Sequence, residues 1–237
     1  MTRLARDRET HLTEEEIATE ALRCFDISAS APSIRQLATA LKVTPSAIYH
    51  HYPSRAAIVQ AAVDLVWEEA TIKLLELIPD PFTADPVEVL VSSGVATRRA
   101  FGEHFRIAPF MAATPQADSH LVAIMVLMAN VFERLGLDAD DAAASFHSYA
   151  SFTIGSTIFA ATRHITNEAA NAEKSGDAPT ERFPSDRRPA SGPGSDEIHH
   201  ALDEMMDVSV TDPQRDEELF VQGLRRLIAG FILAGSR

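Results

Sequence analysis

The run Thr44-Pro45-Ser46-Ala47-Ile48-Tyr49-His50-His51 concentrates hydrogen-bonding side chains in eight residues. Thr44 and Pro45 read as an N-cap followed by proline at the first helical position, where the missing N–H costs nothing. Ala47 and Ile48 supply the small and apolar positions that seat a short helix on a neighbour. Thr44, Ser46 and His50 are then free to reach base edges, and Tyr49 and His51 can donate to phosphate oxygens without reading sequence. The helix must be short, because Pro53 disfavours helix at Tyr52. No Asp or Glu occurs from Ser28 to Gln60, whereas Arg35, Lys42 and Arg55 do. Such a stretch can lie against a polyanion. Arg55 opens the next helix, where backbone amides already favour a phosphate.

These residues need a frame. Thr13 with Glu16 three residues on is a capping box. Ile17, Ala21, Leu22 and Phe25 then form one apolar face of a first helix, which breaks at Ile27–Pro32. Ser33 caps a second helix carrying Ile34, Leu37, Ala38 and Leu41. Lys42-Val43 is a very short turn into the Thr44-Pro45 helix. That layout is a helix-turn-helix, whose second helix enters the major groove. Ser54 caps a fourth helix running to about Leu77, where Pro79, Pro81 and Pro86 stop it. Further helices are expected at about 86–105, 119–136 and 139–166, and a last one from about Pro213. Between Asn171 and Asp196, Pro, Gly and Ser make up 11 of 26 residues, so 171–212 reads as a flexible insertion. His199-His200 and Met205-Met206 are placed in a short helix within or beside it. Strand signals are missing. The expected fold is all-α: an N-terminal three-helix DNA-binding domain over 1–55 and a larger helical effector-binding and dimerisation domain over 56–237.

Composition narrows the function. Twenty-one Lys+Arg stand against 34 Asp+Glu, a net charge of −13. The first 60 residues balance at seven basic and seven acidic, so the whole deficit falls after them. An acidic protein with a neutral, locally acid-free N-terminal part can still meet DNA there. A single cysteine, Cys24, excludes a disulfide framework and a multi-cysteine zinc site. No apolar run approaches the roughly 20 residues that cross a bilayer, and no secretory signal is visible; the expected location is cytoplasmic. No Gly-x-Ser-x-Gly elbow, phosphate-cradling glycine loop or His-Glu-x-x-His occurs. The adjacent pairs His50-His51 and His199-His200 point apart on a helix and cannot chelate from one face. An enzyme is therefore not expected, and no cofactor is. The competing reading is a helical ligand-binding or adaptor protein without DNA binding.

Residues 33–60 resemble the DNA-binding segment of the tetracycline-repressor (TetR) family of transcriptional regulators. Ile34-Arg35-x-Leu37-Ala38, Leu41-x-Val43, Ile48-Tyr49-x-His51-Tyr52 and Arg55 carry the likeness, Arg55 standing at the family's usual Lys position. Lys42 replaces the usual turn glycine, which implies a left-handed conformation with some strain. Weaker similarity to the tetracycline repressors proper continues at Thr97–Ala100, Leu135–Asp140, Ser151–Gly155, Gln222–Leu224 and Ile228–Gly230. The resemblance implies a dimer formed through the last long helices, and an effector in the C-terminal part that shifts helix four and releases DNA. The implied DNA-binding set is Ser33, Arg35, Thr44, Pro45, Ser46, Tyr49, His50, His51 and Arg55.

One recognition helix reads few base pairs, so a homodimer on a palindromic operator is expected. The small-sided helix from 139 and the last helix, with Gly223 and Gly230 a heptad apart, are the expected intersubunit bundle. Seven of twelve Phe lie between 101 and 159. With nearby Met they suit an adaptable apolar pocket. Candidate effector contacts pair apolar surroundings with polar handles: Trp67 and Thr71, Ser93 and Thr97, His104, and His147 and Ser151, together with Phe110, Met111, Met125 and Met128. Tetracycline repressors hold a magnesium–drug chelate through a His in the segment matching Phe110–Pro115 and a Glu near Phe159. This chain has no His in that segment and has Phe at 159. A hard cation wants oxygen or imidazole, so the expected effector is small, largely apolar and metal-free.

Overall fold

The first helix begins where its cap predicts. The Thr13 hydroxyl accepts from the Glu16 amide and the Glu16 carboxylate accepts from the Thr13 amide, both at 3.1 Å. The computed structural model describes residues 12–28, 30–112, 119–174 and 212–235. Among these, every regular element is helical: α1 Glu14–Ile27, α2 Ile34–Leu41, α3 Pro45–His51, α4 Arg55–Leu77, α5 Pro86–Glu103, a 3-10 turn Ala108–Phe110, α6 Ser119–Arg134, α7 Ala139–Lys174 and α8 Pro213–Gly235. Each early helix starts on a hydroxyl cap: Ser33 for α2, Thr44 for α3, Ser54 for α4. Ser33 is also reciprocated by the Gln36 side chain, a second half to the capping box that the spacing permits.

Two apolar cores share the elements. The first buries α1 through Ile17, Ala21 and Phe25, seats α2 and α3 through Leu37 and Ile48, and takes the N-terminal two-thirds of α4 from Ile58 to Ala70. It continues into Phe101, Ile107 and Met111 at the end of α5 and the turn after it. The second lies among α5, α6, α7 and α8 around Leu90, Val131, Phe132, Leu224 and Ile228, and α4 reaches it only at Leu74. Each fully buried Leu, Ile or Phe contributes about 1.5–3 kcal/mol by leaving water. α4 is thus common to both cores, and packing runs without a break across residue 55.

Close approach of α5 to α8 needs Gly94. A Cβ there would stand 2.6 Å from Leu224 Cδ2, closer than real contacts come. Gly136 turns α6 into α7 with a φ of +81°, and Asp138 caps α7 by accepting from the Asp141 amide at 2.9 Å. α7 runs to Lys174, eight residues past the expected end at 166, so 171–174 are helical rather than part of an insertion. Residues 175–211, with the His199-His200 and Met205-Met206 pairs, lie outside the described residues.

Candidate nucleic-acid interface and effector cleft

α3 is held by one apolar anchor. Ile48 is fully buried against Leu37 and Ala38 of α2. The turn between them is tight because Lys42 takes φ 59° and ψ 39°, the left-handed conformation that glycine adopts without cost. The Val43 amide then donates to the Ala38 carbonyl at 3.0 Å. This is the conformation the Lys42 substitution requires, and its local strain is offset by the packing of α2 on α3.

With Ile48 facing in, the rest of the helix faces out. Pro45, Ser46 and His50 are exposed, Tyr49 is 54% exposed, and His51 is half-buried. Arg35 and Ser33 are exposed at the start of α2. Thr44 is half-buried, its hydroxyl accepting from the Ala47 amide at 3.3 Å. Two expected DNA contacts therefore have structural duties as well. Ser33 and Thr44 cap helices, each hydroxyl accepting from a backbone amide three residues on.

Arg55 has a fuller local role than its sequence position suggests. Its Nε donates to the Pro32 carbonyl at 2.9 Å and its Nη2 to the Ala31 carbonyl, tying the start of α4 to the loop before α2. Tyr52 makes a similar strap, its hydroxyl donating to the Glu14 carbonyl at 3.1 Å. Burial, aided by the Glu14 and Asp64 carboxylates, pushes that phenol up to about 12, so it stays a donor at any working pH.

Between α1 and the end of α5 sits a polar junction. His104 places Nδ1 2.8 Å from Asp26 Oδ1 and Nε2 3.3 Å from Glu69 Oε2, joining α1, α4 and α5. Arg106 adds a bond to the Asp26 carbonyl at 2.7 Å and an ion pair to Glu168 of α7. His104 thereby faces two of this chain's own carboxylates.

The expected effector residues do not gather in one place. Trp67 packs edge-on to Phe101 with ring centroids 5.0 Å apart, and the Thr71 hydroxyl donates back to the Trp67 carbonyl. Phe110 leans on Phe25 at 5.2 Å, and Met111 is buried with it in the first core. Thr97 is buried on α5. Ser93 is half-buried and hydrogen-bonds the Tyr149 phenol, which burial raises to about 12 and which donates to the Leu90 carbonyl at 2.9 Å. His147 and Ser151 are exposed on the outward face of α7. Met125 and Met128 line a large opening, a cleft of about 560 Å³ between the end of α6 and the start of α7. Sequence reasoning missed its other walls, Phe132, Leu137 and Phe146, and its rim acids, Glu133 and Asp138. The signal was present in part: Met125, Met128 and Phe132 recur at helical spacing, and Leu137 follows the turn glycine.

A second, smaller hollow of about 150 Å³ lies between α5, α7 and α8. Its charges are consumed locally. Asp216 accepts from both Arg98 and Arg163, and Glu217 accepts from Arg99 at 2.7 Å. The Arg99 guanidinium holds the Glu217 carboxyl below the usual carboxylate range. No group of three or more His, Cys, Asp or Glu is disposed to hold a metal among the described residues.

A short, outward-facing polar helix mounted by a tight turn on an all-helical body defines a helix-turn-helix DNA-binding regulator with a ligand-binding second part. The family model for "Bacterial regulatory proteins, tetR family" matches residues 17–62, and that for "Tetracyclin repressor-like, C-terminal domain" matches 79–233. The chain belongs to the TetR family of bacterial transcriptional regulators. No curated protein matches it. Among solved structures, ActR of Streptomyces coelicolor without ligand is 22% identical with a TM-score of 0.67, covering 95% of this chain and 97% of its own. ActR in complex with actinorhodin is 21% identical with a TM-score of 0.68, over 94% and 96%. The TetR Q116A variant of Acinetobacter baumannii AYE in complex with minocycline is 19% identical with a TM-score of 0.62, over 95% and 96%. These likenesses establish the shared fold.

Proposed function

We propose that the protein is a repressor in the cytoplasm that binds a palindromic operator as a homodimer and leaves it when a small, largely apolar effector binds. The observation that carries this reading is α3 itself. Its one apolar anchor faces inward, and Ser46, Tyr49 and His50 stand exposed in a stretch without a single carboxylate. Thr44, Ser46 and His50 meet base edges, while Ser33, Arg35, Tyr49, His51 and Arg55 grip phosphates. Residues 1–55 act as the DNA-binding unit and 56–237 as the effector and dimerisation unit.

The outward faces of α7 and α8 support dimerisation. His147, Ser151, Gly155 and Phe159 recur along α7 as an exposed stripe, and Ala229, Gly230 and Leu233 along α8. Leu233 is 72% exposed and Phe159 59%, large apolar area for a monomer to leave wet. A symmetric four-helix bundle covers both stripes. Of the two glycines expected there, Gly223 faces Phe152 of its own chain, whereas Gly230 opens onto free space and suits a partner helix.

The open cleft between α6 and α7 supports an apolar effector, since its walls are Met, Phe, Leu and Ala. Release of DNA follows if the effector favours a dimer in which the two α3 helices are wrongly spaced. The switch is no larger than the difference in its affinity for the two states. With no imidazole at 110–115 and Phe at 159, effector binding requires no magnesium, and calorimetry with magnesium-tetracycline should show no magnesium-dependent heat. A gel shift on the gene's own upstream DNA tests the main reading. A salt-sensitive complex is expected; a chain that shifts no such DNA, or sediments only as monomer, is not this regulator.

A further inference from the structure

We infer that the effector taken by the α6–α7 cleft is an apolar molecule carrying a positive charge. This rests on reading that cleft as the effector site. Its floor is apolar and well buried: Met128 is 3%, Phe132 1% and Leu137 7% exposed, with the half-buried Phe146 beside them. Its volume, about 560 Å³, suits a compact polycyclic or aryl-substituted ligand. Among the described residues, its ionisable lining groups are Glu133 and Asp138, with no Lys, Arg or His.

The nearest cation in sequence, Arg134, is turned away. Its guanidinium donates to the carbonyls of Pro81, Phe82 and Ala84, where it straps the loop between α4 and α5. One feature favours an anion instead: the start of α7 at Ala139, a positive helix end that lines the cleft. That end is already answered. The Asp138 carboxylate accepts from the Asp141 amide, and Asp140 and Asp141 stand in the first turn. Roughly half a positive charge at a helix start is outweighed by the carboxylates around it. Longer-range field agrees in sign, since residues after 60 carry the entire −13. Met and aromatic walls are polarisable and hold the face of an organic cation well.

The experiment is fluorescence anisotropy on the full-length protein with two dyes of one xanthene skeleton and opposite charge, rhodamine 123 and fluorescein. Salt is held at about 0.15 M, so that only charges within about 8 Å count. Tetraphenylphosphonium competes as a second, unrelated cation. Rhodamine 123 should bind about 10-fold or more tighter than fluorescein, the selectivity that two exposed carboxylates together can supply. The double variant Glu133→Gln, Asp138→Asn should bring the two dyes to within about 3-fold of each other. Asn caps a helix as well as Asp does, so the variant keeps its fold, checked by circular dichroism. Equal binding of the two dyes, preference for fluorescein, no binding of either cation, or a selectivity indifferent to the double variant would each overturn the inference. A parallel gel shift separates the two proposals. If rhodamine 123 binds with the expected selectivity and the DNA complex survives, the cleft is not the effector site though its charge preference stands. If fluorescein releases DNA as well as rhodamine 123 does, the charge class fails and the effector reading stands.

Discussion

The two ends of this molecule are fastened differently. Around α1, α2, α3 and the start of α4, apolar packing is reinforced by long-range straps: Tyr52 to Glu14, Arg55 to Ala31 and Pro32, and His104 to Asp26. At the α6–α7 end a large apolar cleft stands open, with Met125 37% exposed and rim acids that pair with no cation among the described residues. A DNA reader must hold its rod at a fixed pitch, because misplacement forfeits base contacts. A sensor must leave room for a ligand to add the missing packing. Arg134 straps the α6 end as well, so the difference lies in the open cleft, with α4 running from one core to the other.

The largest expected contrast is between apolar truncations in the two places. Ile48→Ala removes the sole buried anchor of a seven-residue helix, and should cost about 3 kcal/mol in urea unfolding and abolish the gel shift. Met128→Ala, beside an opening, should cost about 1–2 kcal/mol less than that, because its surroundings can relax. Equal costs would break the comparison. Next come the two classes of DNA contact. Ser46→Ala or His50→Ala should change base preference, by about 1–3 kcal/mol per discriminated base. Tyr49→Phe should weaken all sequences alike, by about 1 kcal/mol, through one lost phosphate bond. Competition with randomised sites distinguishes these outcomes.

A smaller effect belongs to Arg55. Arg55→Ala should lower both thermal stability and DNA affinity, by about 1 kcal/mol each, since the side chain straps a loop and is proposed to grip a phosphate as well. Loss of affinity with unchanged stability would mean the strap contributes nothing. The smallest effect is a matter of pH. The Glu217 carboxyl is held below its unfolded value by Arg99, so its stabilising share is present at neutral pH and lost as pH falls from about 4.5 through the folded value. Glu217→Gln should therefore melt slightly below the parent at pH 7 and level with it well below pH 4. The pair is part-exposed, and screening keeps the gap small.

Much of this was legible in the residues. The capping hydroxyls Thr13, Ser33, Thr44 and Ser54 start their helices where they stand, because a cap is a bond made within three or four residues. The exposed set on α3 follows from Pro45 and Ile48 alone: one fixes where the helix starts, the other which side faces in. Which of the expected ligand residues would meet an opening was not legible, for a physical reason. An aromatic or Met at helical spacing announces burial, and says nothing of whether its neighbour across the gap is another side chain or empty space. Trp67 met Phe101 and Phe110 met Phe25, so those became core; Met125 and Met128 met an opening.

Local chemistry therefore set the helices, their starts, the left-handed turn at Lys42 and the polar face of α3, all of which depend on contacts between near neighbours in the chain. Only the tertiary arrangement decided that His104 would be held by Asp26 and Glu69, that Arg55 would fold back onto the loop before α2, that Gly94 and Gly223 would serve this chain's own helix packing, and where the cleft would open. Those outcomes turn on which distant segments come within a few ångströms of each other. The spacing of residues along one helix does not contain that information.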